Sequence, residues 1–516
     1  MPSRLLHEQK QVSSETPRRF QARSAGLFPV LLLVLAYASV VQTPGANEYA
    51  HYASVRALAH GTAIVDPYRA STKDVSWYHG HYYAAKAPGL ALLTTPVYIV
   101  LKDVHAVRLV DGRLYAHFST ALPIWALGLV GVVLPAAVLL LLIRRVADDF
   151  EPGLGAAVAV TAGLGTLLLP FSTLFFDHML AAALGFAAFF VIWSRQGGTA
   201  PLASGGLLAG LACTADYPLA LVAIGVGLYA ISRGARIRGM LAYGIGFTVG
   251  VLPLFAYNWW AFGSATHFPY EDAVLQGGRT GHDVLGANSQ GLFGVGAPSF
   301  PRAVELLFSP TGLLTLSPVV AMGAVGVVLL YGCRRNEAIL FAFIAVAYLV
   351  YNSGYRLLFG GYSPGPRFLI PALPFLALGL GPSFRRFPAS TAVLAVCSAL
   401  TMTTVTVTNP ELAWDRHWLN RIADGSFGGF GAVPLIPFLL LVGASVFLVC
   451  RMYLPATPAR DELRAAATLF VGWVLLAFAG PRLLDGSSLA AFGVLALAAG
   501  VALASAVFYR AGWRSA

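Results

Sequence analysis

FSTALPIWALGLVGVVLPAAVLLLLIRR, residues 118–145, is an apolar run that ends at the pair Arg144-Arg145. The run is longer than the roughly 20 residues that a helix needs to cross a bilayer. Arginines that directly follow such a run are typical of the cytoplasmic end of a membrane span. The stretch therefore predicts a membrane-spanning helix with one basic end.

The same pattern recurs along the chain, which is 57% hydrophobic and only 11% charged. Soluble domains carry about 25% charged residues, so the composition indicates a polytopic membrane protein. We predict an all-α bundle of about 12–14 transmembrane helices. The predicted spans are 26–42, 118–143, 154–172, 178–194, 202–214, 216–232, 239–258, 312–332, 338–353, 367–381, 388–408, 431–450, 465–480 and 487–509.

The arginine clusters set the orientation of these spans. With both termini in the cytoplasm, the clusters that follow or precede spans fall on the cytoplasmic side, among them Arg334-Arg335 and Arg385-Arg386. The net charge of +11 therefore reflects orientation in a lipid bilayer, and we predict no nucleic-acid partner. This topology places the loops that carry most of the remaining ionisable residues outside the cytoplasm.

The chain divides into three predicted regions: a cytoplasmic tail (1–25), a catalytic membrane module (26–385) and C-terminal membrane helices (386–516). The module contains a large external loop, 43–117. Within that loop the apolar stretch 87–101 is too short to span and contains two prolines, so we predict an interfacial or re-entrant helix. A second interfacial helix is predicted to begin at Asn47.

Three acidic positions follow predicted spans on the external side. Asn47-Glu48 offers a carboxylate that could be a general base or a metal ligand, although a helix cap is the alternative. Asp177-His178 lies in an apolar turn and could bind a divalent cation (Mg, Mn or Ca) or tune a catalytic base. Asp216, before a proline, is predicted to line a substrate pocket or to cap a helix.

Two cations lie on the same predicted side. Lys86 precedes the interfacial stretch at headgroup depth, where an ammonium can bind a lipid phosphate or simply snorkel. Arg367 follows a glycine-rich turn and could hold a phosphate at the start of a helix. Tyr83, Tyr257 and Asn258 are further predicted pocket residues at the outer interface, where an aromatic belt is the alternative.

These residues together resemble the C-type glycosyltransferase superfamily (GT-C), in particular polyprenyl-phosphate-dependent enzymes related to protein O-mannosyltransferases and aminoarabinose transferase. The resemblance covers roughly residues 25–385. It rests on the order and shared side of five features, none of which is specific alone. The features are Asn47-Glu48 after the first span, Lys86-Ala87-Pro88, Asp177 in an external turn, the 306–318 stretch LLFSPTGLLTLSP, and GPRFLIP from Gly365.

The resemblance implies a membrane glycosyltransferase. Such an enzyme moves a sugar from a polyprenyl-phosphate donor to an acceptor hydroxyl outside the cytoplasm, usually with inversion. It implies a donor-phosphate role for Lys86 and, more weakly, Arg367. The family's acidic pair is typically Asp-Glu with the first acid as base, and here the first position is Asn47. The resemblance therefore leaves Glu48 or Asp177 as the base.

Two alternatives accompany this prediction. A transporter or lipid-linked flippase has the same hydropathy, but it would favour mid-membrane charges and related halves, and neither is visible in the sequence. A catalytically inactive relative is the second alternative, because of Asn47. We expect a multi-pass cell-membrane protein with an extracytoplasmic active site. The sequence does not identify its sugar or its glycan, lipid or protein acceptor.

Overall fold

The computed structural model of the protein describes residues 26–72, 74–103, 117–195, 198–274, 294–408, 435–453 and 459–479. The predicted tail 1–25 and the predicted last span 487–509 lie outside the described residues. The boundaries of the three predicted regions stay a prediction.

The described chain folds mainly into helices, which we number in chain order. They are α1 (Leu27–Ala38), α2 (Ala46–Ala59), α3 (Gly89–Asp103), α4 (His117–Gly128), α5 (Leu134–Phe150), α6 (Gly155–Gly165), α7 (Leu168–Phe171), α8 (His178–Ser194), α9 (Thr199–Ala215), α10 (Ala220–Ser232), α11 (Ile237–Phe262), α12 (Phe300–Phe308), α13 (Leu313–Leu316), α14 (Val319–Leu330), α15 (Arg335–Gly354), α16 (Leu373–Leu378), α17 (Leu380–Arg386), α18 (Pro388–Thr408), α19 (Ile436–Tyr453) and α20 (Arg460–Val474). Short 3-10 turns cover Asp66–Ser71, Tyr217–Leu219, Pro269–Asp272 and Arg367–Ala372, and π-helical turns cover Leu129–Val133 and Leu475–Ala479.

The predicted helical membrane architecture is confirmed, but the helices are shorter and more broken than predicted. Among the described residues, 5 helices are long and apolar enough to cross a membrane, and up to 7 if each of two bent pairs is one span. Five further apolar helices are shorter than 18 residues. The predicted span 312–332 bends by 92° before Val319, where Pro318 cannot donate a backbone hydrogen bond to continue a helix.

A small sheet in the first loop departs from the all-α prediction. Strands β1 (Val75–Tyr78) and β2 (His81–Ala84) form a hairpin whose turn residues, His79 and Gly80, both have positive φ. This is the backbone conformation that tight hairpins favour. Strand β3 (Ala273–Val274) pairs with β1 and so ties the segment after α11 to the first loop.

The two predicted helices of the first loop are present as α2 and α3. Helix α3 covers most of the proline-containing stretch 87–101 and is not among the helices long enough to cross a membrane. The interfacial position of both helices stays a prediction, because no membrane accompanies the structure.

Opposite ends of the bundle carry the two sets of charged residues. Helix α8 begins at His178 among buried acids and ends near Trp193, which packs on Phe150. Beside Phe150, Arg334 pairs with Asp149 at 2.9 Å. Arg334 and the buried acids therefore lie near opposite ends of α8, and the membrane side of each stays a prediction.

Helices α9 and α11 make backbone contact through glycines. Gly246 and Gly250 on α11 face Gly206 and Gly210 on α9, and a Cβ on Gly246 would overlap the carbonyl oxygen of Ala203. Small residues spaced by four permit this approach in membrane helices. The contact fixes the end of α9, from which Asp216 projects.

Replacing Gly246 by alanine is expected to destabilise the protein by about 1–3 kcal/mol, the usual cost of overpacking. Gly244→Ala on the same helix is the matched control, because nothing lies within 4 Å of its added Cβ. Thermal melting in detergent checks the pair. Equal melting temperatures for both variants would contradict the close helix contact.

Candidate active site

Two aspartates and a histidine meet at one end of the bundle. They come from two short turns between helices. Asp177 ends the turn between α7 and α8, His178 is the first residue of α8, and Asp216 follows α9. Nδ1 of His178 lies 2.8 Å from Oδ2 of Asp216 and 3.5 Å from Oδ1 of Asp177. All three are buried, so the structure brings together the two turns that the sequence singled out.

One face of α2 points into this group. Asn47 and His51 are four residues apart, a spacing that places two side chains on the same side of a helix. Nε2 of His51 lies 3.7 Å from Oδ2 of Asp177, and the imidazole is fully buried. Burial, the largest cause, and the positive charges of Lys86 and Arg367 hold the pKa of His51 well below its usual range. The ring is therefore neutral near pH 7.

The amide of Asn47 joins the two cations. Hydrogen bonding is satisfied when its oxygen faces them, 2.7 Å from Nζ of Lys86 and 3.2 Å from Nη1 of Arg367. Both cations are buried, with 5% and 7% of their surface exposed. Lys86 and Arg367 are 281 positions apart in the sequence, yet their head groups converge on one amide.

Lys86 has an anionic partner in the first loop. Its Nζ lies 2.5 Å from Oδ2 of Asp74, the residue before β1. The hairpin is therefore flanked by the two members of this ion pair, with Asp74 before it and Lys86 after it. Arg367 is held differently, because its guanidinium lies between the rings of Phe176 and Phe368, with Cζ 5.6 Å and 5.3 Å from their centroids.

Burial dominates the electrostatics of the two aspartates that follow helices. It raises the pKa of Asp177 to about 6 and that of Asp216 to about 7, although Lys86 and Arg367 both act to lower them. Keeping several charges in a buried group costs several kcal/mol for each ion. Strongly perturbed carboxyl groups beside buried cations are characteristic of functional sites.

Glu48 faces a different part of the molecule. It is 1% exposed, and its Oε2 accepts a hydrogen bond from the backbone N–H of Gly45 at 2.9 Å, which caps the start of α2. It also lines a small cavity with Tyr37, Gln42 and Trp125. The capping role that the sequence offered as an alternative is therefore present for Glu48 rather than for Asn47.

Tyr83, Tyr257 and Asn258 lie where the first loop meets α11. Tyr83 and Tyr257 belong to one apolar cluster around Phe262, with the ring of Tyr83 4.8 Å from that of Phe262. Asn258 donates a hydrogen bond to the carbonyl of Ala265 at 3.2 Å. These contacts join loop and helix, and a role of the three residues in a substrate pocket stays a prediction.

The group Asp177, His178 and Asp216 meets the chemical requirements of a cation site. One ligand atom from each lies within 4.8 Å of the other two, and the donors are two carboxylate oxygens and one imidazole nitrogen. Such mixed sets suit Mn, Zn and related divalent ions. The structure thus adds Asp216 to the ligand pair predicted from the sequence.

Two members of this site were not among the predicted residues. His51 had a usable signal, because it lies one helical turn after Asn47 on a predicted helix. No sequence pattern identifies Asp74, since only the folding of the hairpin brings it to Lys86. Both contribute ionisable groups within ion-pair distance of predicted residues.

Gly360 sets the position of Arg367. Its φ is +77°, and a Cβ there would overlap Nε of Arg367 and lie 2.9 Å from Cζ. If Arg367 binds a phosphate, as the sequence predicts, Gly360→Ala should displace the guanidinium and weaken that binding about tenfold or more, the loss of one charged hydrogen bond. Isothermal titration calorimetry with a phosphate-containing donor analogue measures the change in binding.

Gly361→Ala is the control for that substitution. Gly361 also has a positive φ, +95°, but nothing lies within 4 Å of the Cβ that alanine would add. Both variants therefore carry similar backbone strain, and only Gly360→Ala meets the guanidinium. If the two variants bind the analogue equally well, Arg367 does not contact the ligand.

No protein-family model and no curated protein sequence matches the chain. Among solved structures, it is similar to ArnT from Cupriavidus metallidurans bound to undecaprenyl phosphate, at 13% identity and a TM-score of 0.46, covering 93% of this chain and 76% of that one. It is also similar to the apo form of the Archaeoglobus fulgidus oligosaccharyltransferase, at 14% identity and a TM-score of 0.45. That similarity covers 87% of this chain and 58% of the other. Similarities of this size do not by themselves assign a family to the chain.

Proposed function

We propose that the chain is a GT-C-type membrane glycosyltransferase. It transfers a sugar from a polyprenyl-phosphate donor to an acceptor hydroxyl on the extracytoplasmic side. The observation that carries this proposal is the convergence of Lys86 and Arg367 on Asn47, beside the buried carboxylate of Asp177. Two cations next to a carboxylate supply what transfer from a lipid phosphate requires: charge for the leaving group and a base for the acceptor.

Lys86 and Arg367 bind the donor phosphate in this proposal. A guanidinium pairs with two phosphate oxygens at once, and an ammonium acts as a compact point charge. Asp74 pairs with Lys86, and the rings of Phe176 and Phe368 lie within cation–π distance of Arg367. Both cations are therefore positioned before the donor arrives, which lowers the entropy cost of binding it.

Asp177 is the proposed general base. Its raised pKa, about 6, is close to neutral pH, where a base combines ionisation with appreciable basicity. His51 on α2 and His178 on α8 lie 3.7 Å and 3.5 Å from its two oxygens. Glu48, the other predicted candidate, is engaged at the start of α2.

The proposed reaction needs only the lipid-linked donor, the acceptor hydroxyl and the side chains of the site. The acceptor hydroxyl oxygen attacks the anomeric carbon as its proton passes to Asp177, and the bond from that carbon to the phosphate oxygen breaks. The bonding pair leaves with the polyprenyl phosphate, whose charge Lys86 and Arg367 offset. A divalent cation, if held by Asp216, His178 and one oxygen of Asp177, would supply further positive charge, and the other oxygen of Asp177 would remain to take the proton. Attack opposite the leaving group gives inversion.

The proposal is tested by reconstituting the protein in liposomes with polyprenyl-phosphate sugars and candidate acceptors. The expected result is a covalently glycosylated product, with free polyprenyl phosphate released, by mass spectrometry. Movement of the lipid-linked sugar across the bilayer without a new glycosidic bond would instead identify a flippase. Neither product nor flux, in protein that binds the donor, would identify an inactive relative.

A divalent-ion test is independent of the acceptor. If Asp177, His178 and Asp216 hold a cation, Mn²⁺ is expected to raise the melting temperature of the wild-type protein, because an ion that binds only the folded state stabilises it. Asp216→Asn should reduce that increase. An unchanged melting temperature over millimolar Mn²⁺ would exclude the cation site while leaving the glycosyl-transfer proposal intact.

A further inference from the structure

A basic cavity lies at the end of the bundle opposite the candidate active site. It is bounded by the end of α8, the start of α9, the end of α10 and the start of α11, and its volume is about 610 Å³. Four arginines line it together with apolar side chains. The arginines are Arg195, Arg233, Arg236 and Arg238.

The positive charge of this cavity is largely uncompensated. Among the described residues, the one ion pair of the four arginines is that of Arg233 with Glu337, at 3.4 Å. Neither α9 nor α11, whose first residues border the cavity, has an acidic residue in its first turn. An anion entering the cavity would therefore meet up to four guanidinium groups.

The other walls of the cavity are apolar and continue onto the exposed apolar surface of α11. Ile192, Pro201 and Leu202 line it. From its edge, Ile237, Leu241 and Ile245 run along one face of α11 at four-residue spacing, with 59% to 74% of their surface exposed. A ligand that fits has an anionic head and apolar chains that lie along α11.

We propose that this cavity binds the phosphate of an anionic phospholipid headgroup. Arginine is the side chain best suited to phosphate, because its planar donors pair with two oxygens. Basic pockets between membrane helices are a known form of lipid recognition. The positive-inside rule accounts for arginines on one side of the membrane. It does not explain why four of them line one cavity, or why that cavity also has an apolar wall. This site is independent of the proposed glycosyl transfer.

Native mass spectrometry of the detergent-solubilised full chain tests the proposal. We expect the wild type to retain phosphatidylglycerol in preference to phosphatidylcholine. Arg236→Gln/Arg238→Gln should weaken phosphatidylglycerol binding about 30-fold, the effect of two surface charges near a membrane. Arg236→Lys/Arg238→Lys should recover only part of the loss, because lysine keeps the charge but not the paired donors.

The matched control is Arg335→Gln/Arg451→Gln, which removes two exposed arginines that do not line the cavity. Equal loss in the control, or equal retention of the two lipids by the wild type, would overturn the proposal. Inorganic phosphate distinguishes the source of the anion: if it binds the wild type at low millimolar concentration while neither phospholipid is retained, the site takes free phosphate and the lipid proposal is wrong. Size-exclusion profiles must match among variants, so that a folding defect is not taken for lost binding.

Discussion

Asp177→Asn is expected to lower the rate of sugar transfer by about 10²–10⁴-fold, the contribution typical of a general base. The amide has nearly the same shape as the carboxylate but cannot accept the acceptor's proton at neutral pH. His51 and His178 would still contact it, so the fold should persist. Steady-state transfer with a fixed donor concentration measures the effect, and the melting temperature confirms that the variant is folded.

Two other variants sharpen the assignment of the base. Glu48→Gln is expected to retain most activity and most stability, since the glutamine side-chain oxygen can still accept the backbone N–H of Gly45 that caps α2. Asp149→Asn, at the opposite end of the bundle in an ion pair with Arg334, controls for removing any carboxylate. Full activity of Asp177→Asn together with an inactive Glu48→Gln would reverse the proposed roles.

Lys86→Met is expected to lower kcat by about 10²–10³-fold, as removal of one group that stabilises transition-state charge typically does. Methionine fills the space of the aliphatic stem without the charge, so packing changes little. The substitution also removes the cation that pairs with Asp74. The negative charge of Asp74 then repels the donor phosphate. Donor binding should weaken in parallel, which separates a phosphate role from a role in the acceptor site.

Lys102→Met is the matched control for Lys86→Met. Lys102 lies on α3 near His60, outside the buried site, and its loss should leave transfer unchanged. Lys86→Arg should restore part of the activity, because the charge is kept while the head group is larger. If Lys86→Met binds and transfers as the wild type does, the convergence of the two cations has no role in the reaction.

Asn47 is the position at which the chain departs from the GT-C pattern that it resembles, and its contacts give a physical account of the departure. The neutral amide accepts hydrogen bonds from both Lys86 and Arg367 without cancelling their charge. A carboxylate in the same place would form ion pairs with both and compete with the donor phosphate. The amide therefore holds both cations in place and adds no second carboxylate beside Lys86, which already pairs with Asp74.

Composition was enough to predict a polytopic membrane protein, and the charge pattern predicts the membrane side of its arginine clusters. Apolar runs can only be buried in lipid or against other helices, and arginine clusters are typical of one membrane side. Both features can therefore be recognised in the sequence alone. The convergence of Asp177 with Asp216 was predicted only in outline, as two external turns. Broken spans such as the bend before Val319 could not be counted reliably, because bent and straight apolar segments have the same composition.

Helix packing, in contrast, selects which of these groups lie together. Helix α2 turns Asn47 and His51 towards Asp177 and leaves Glu48 at the helix start, although Asn47 and Glu48 are neighbours in sequence. Contacts such as His178 with Asp216 and Asn47 with Arg367 join segments that are distant along the chain. Sequence patterns report each residue's local preference for lipid, water or helix. The interaction energy between two buried charges depends on the distance between them, and only the packed fold sets that distance.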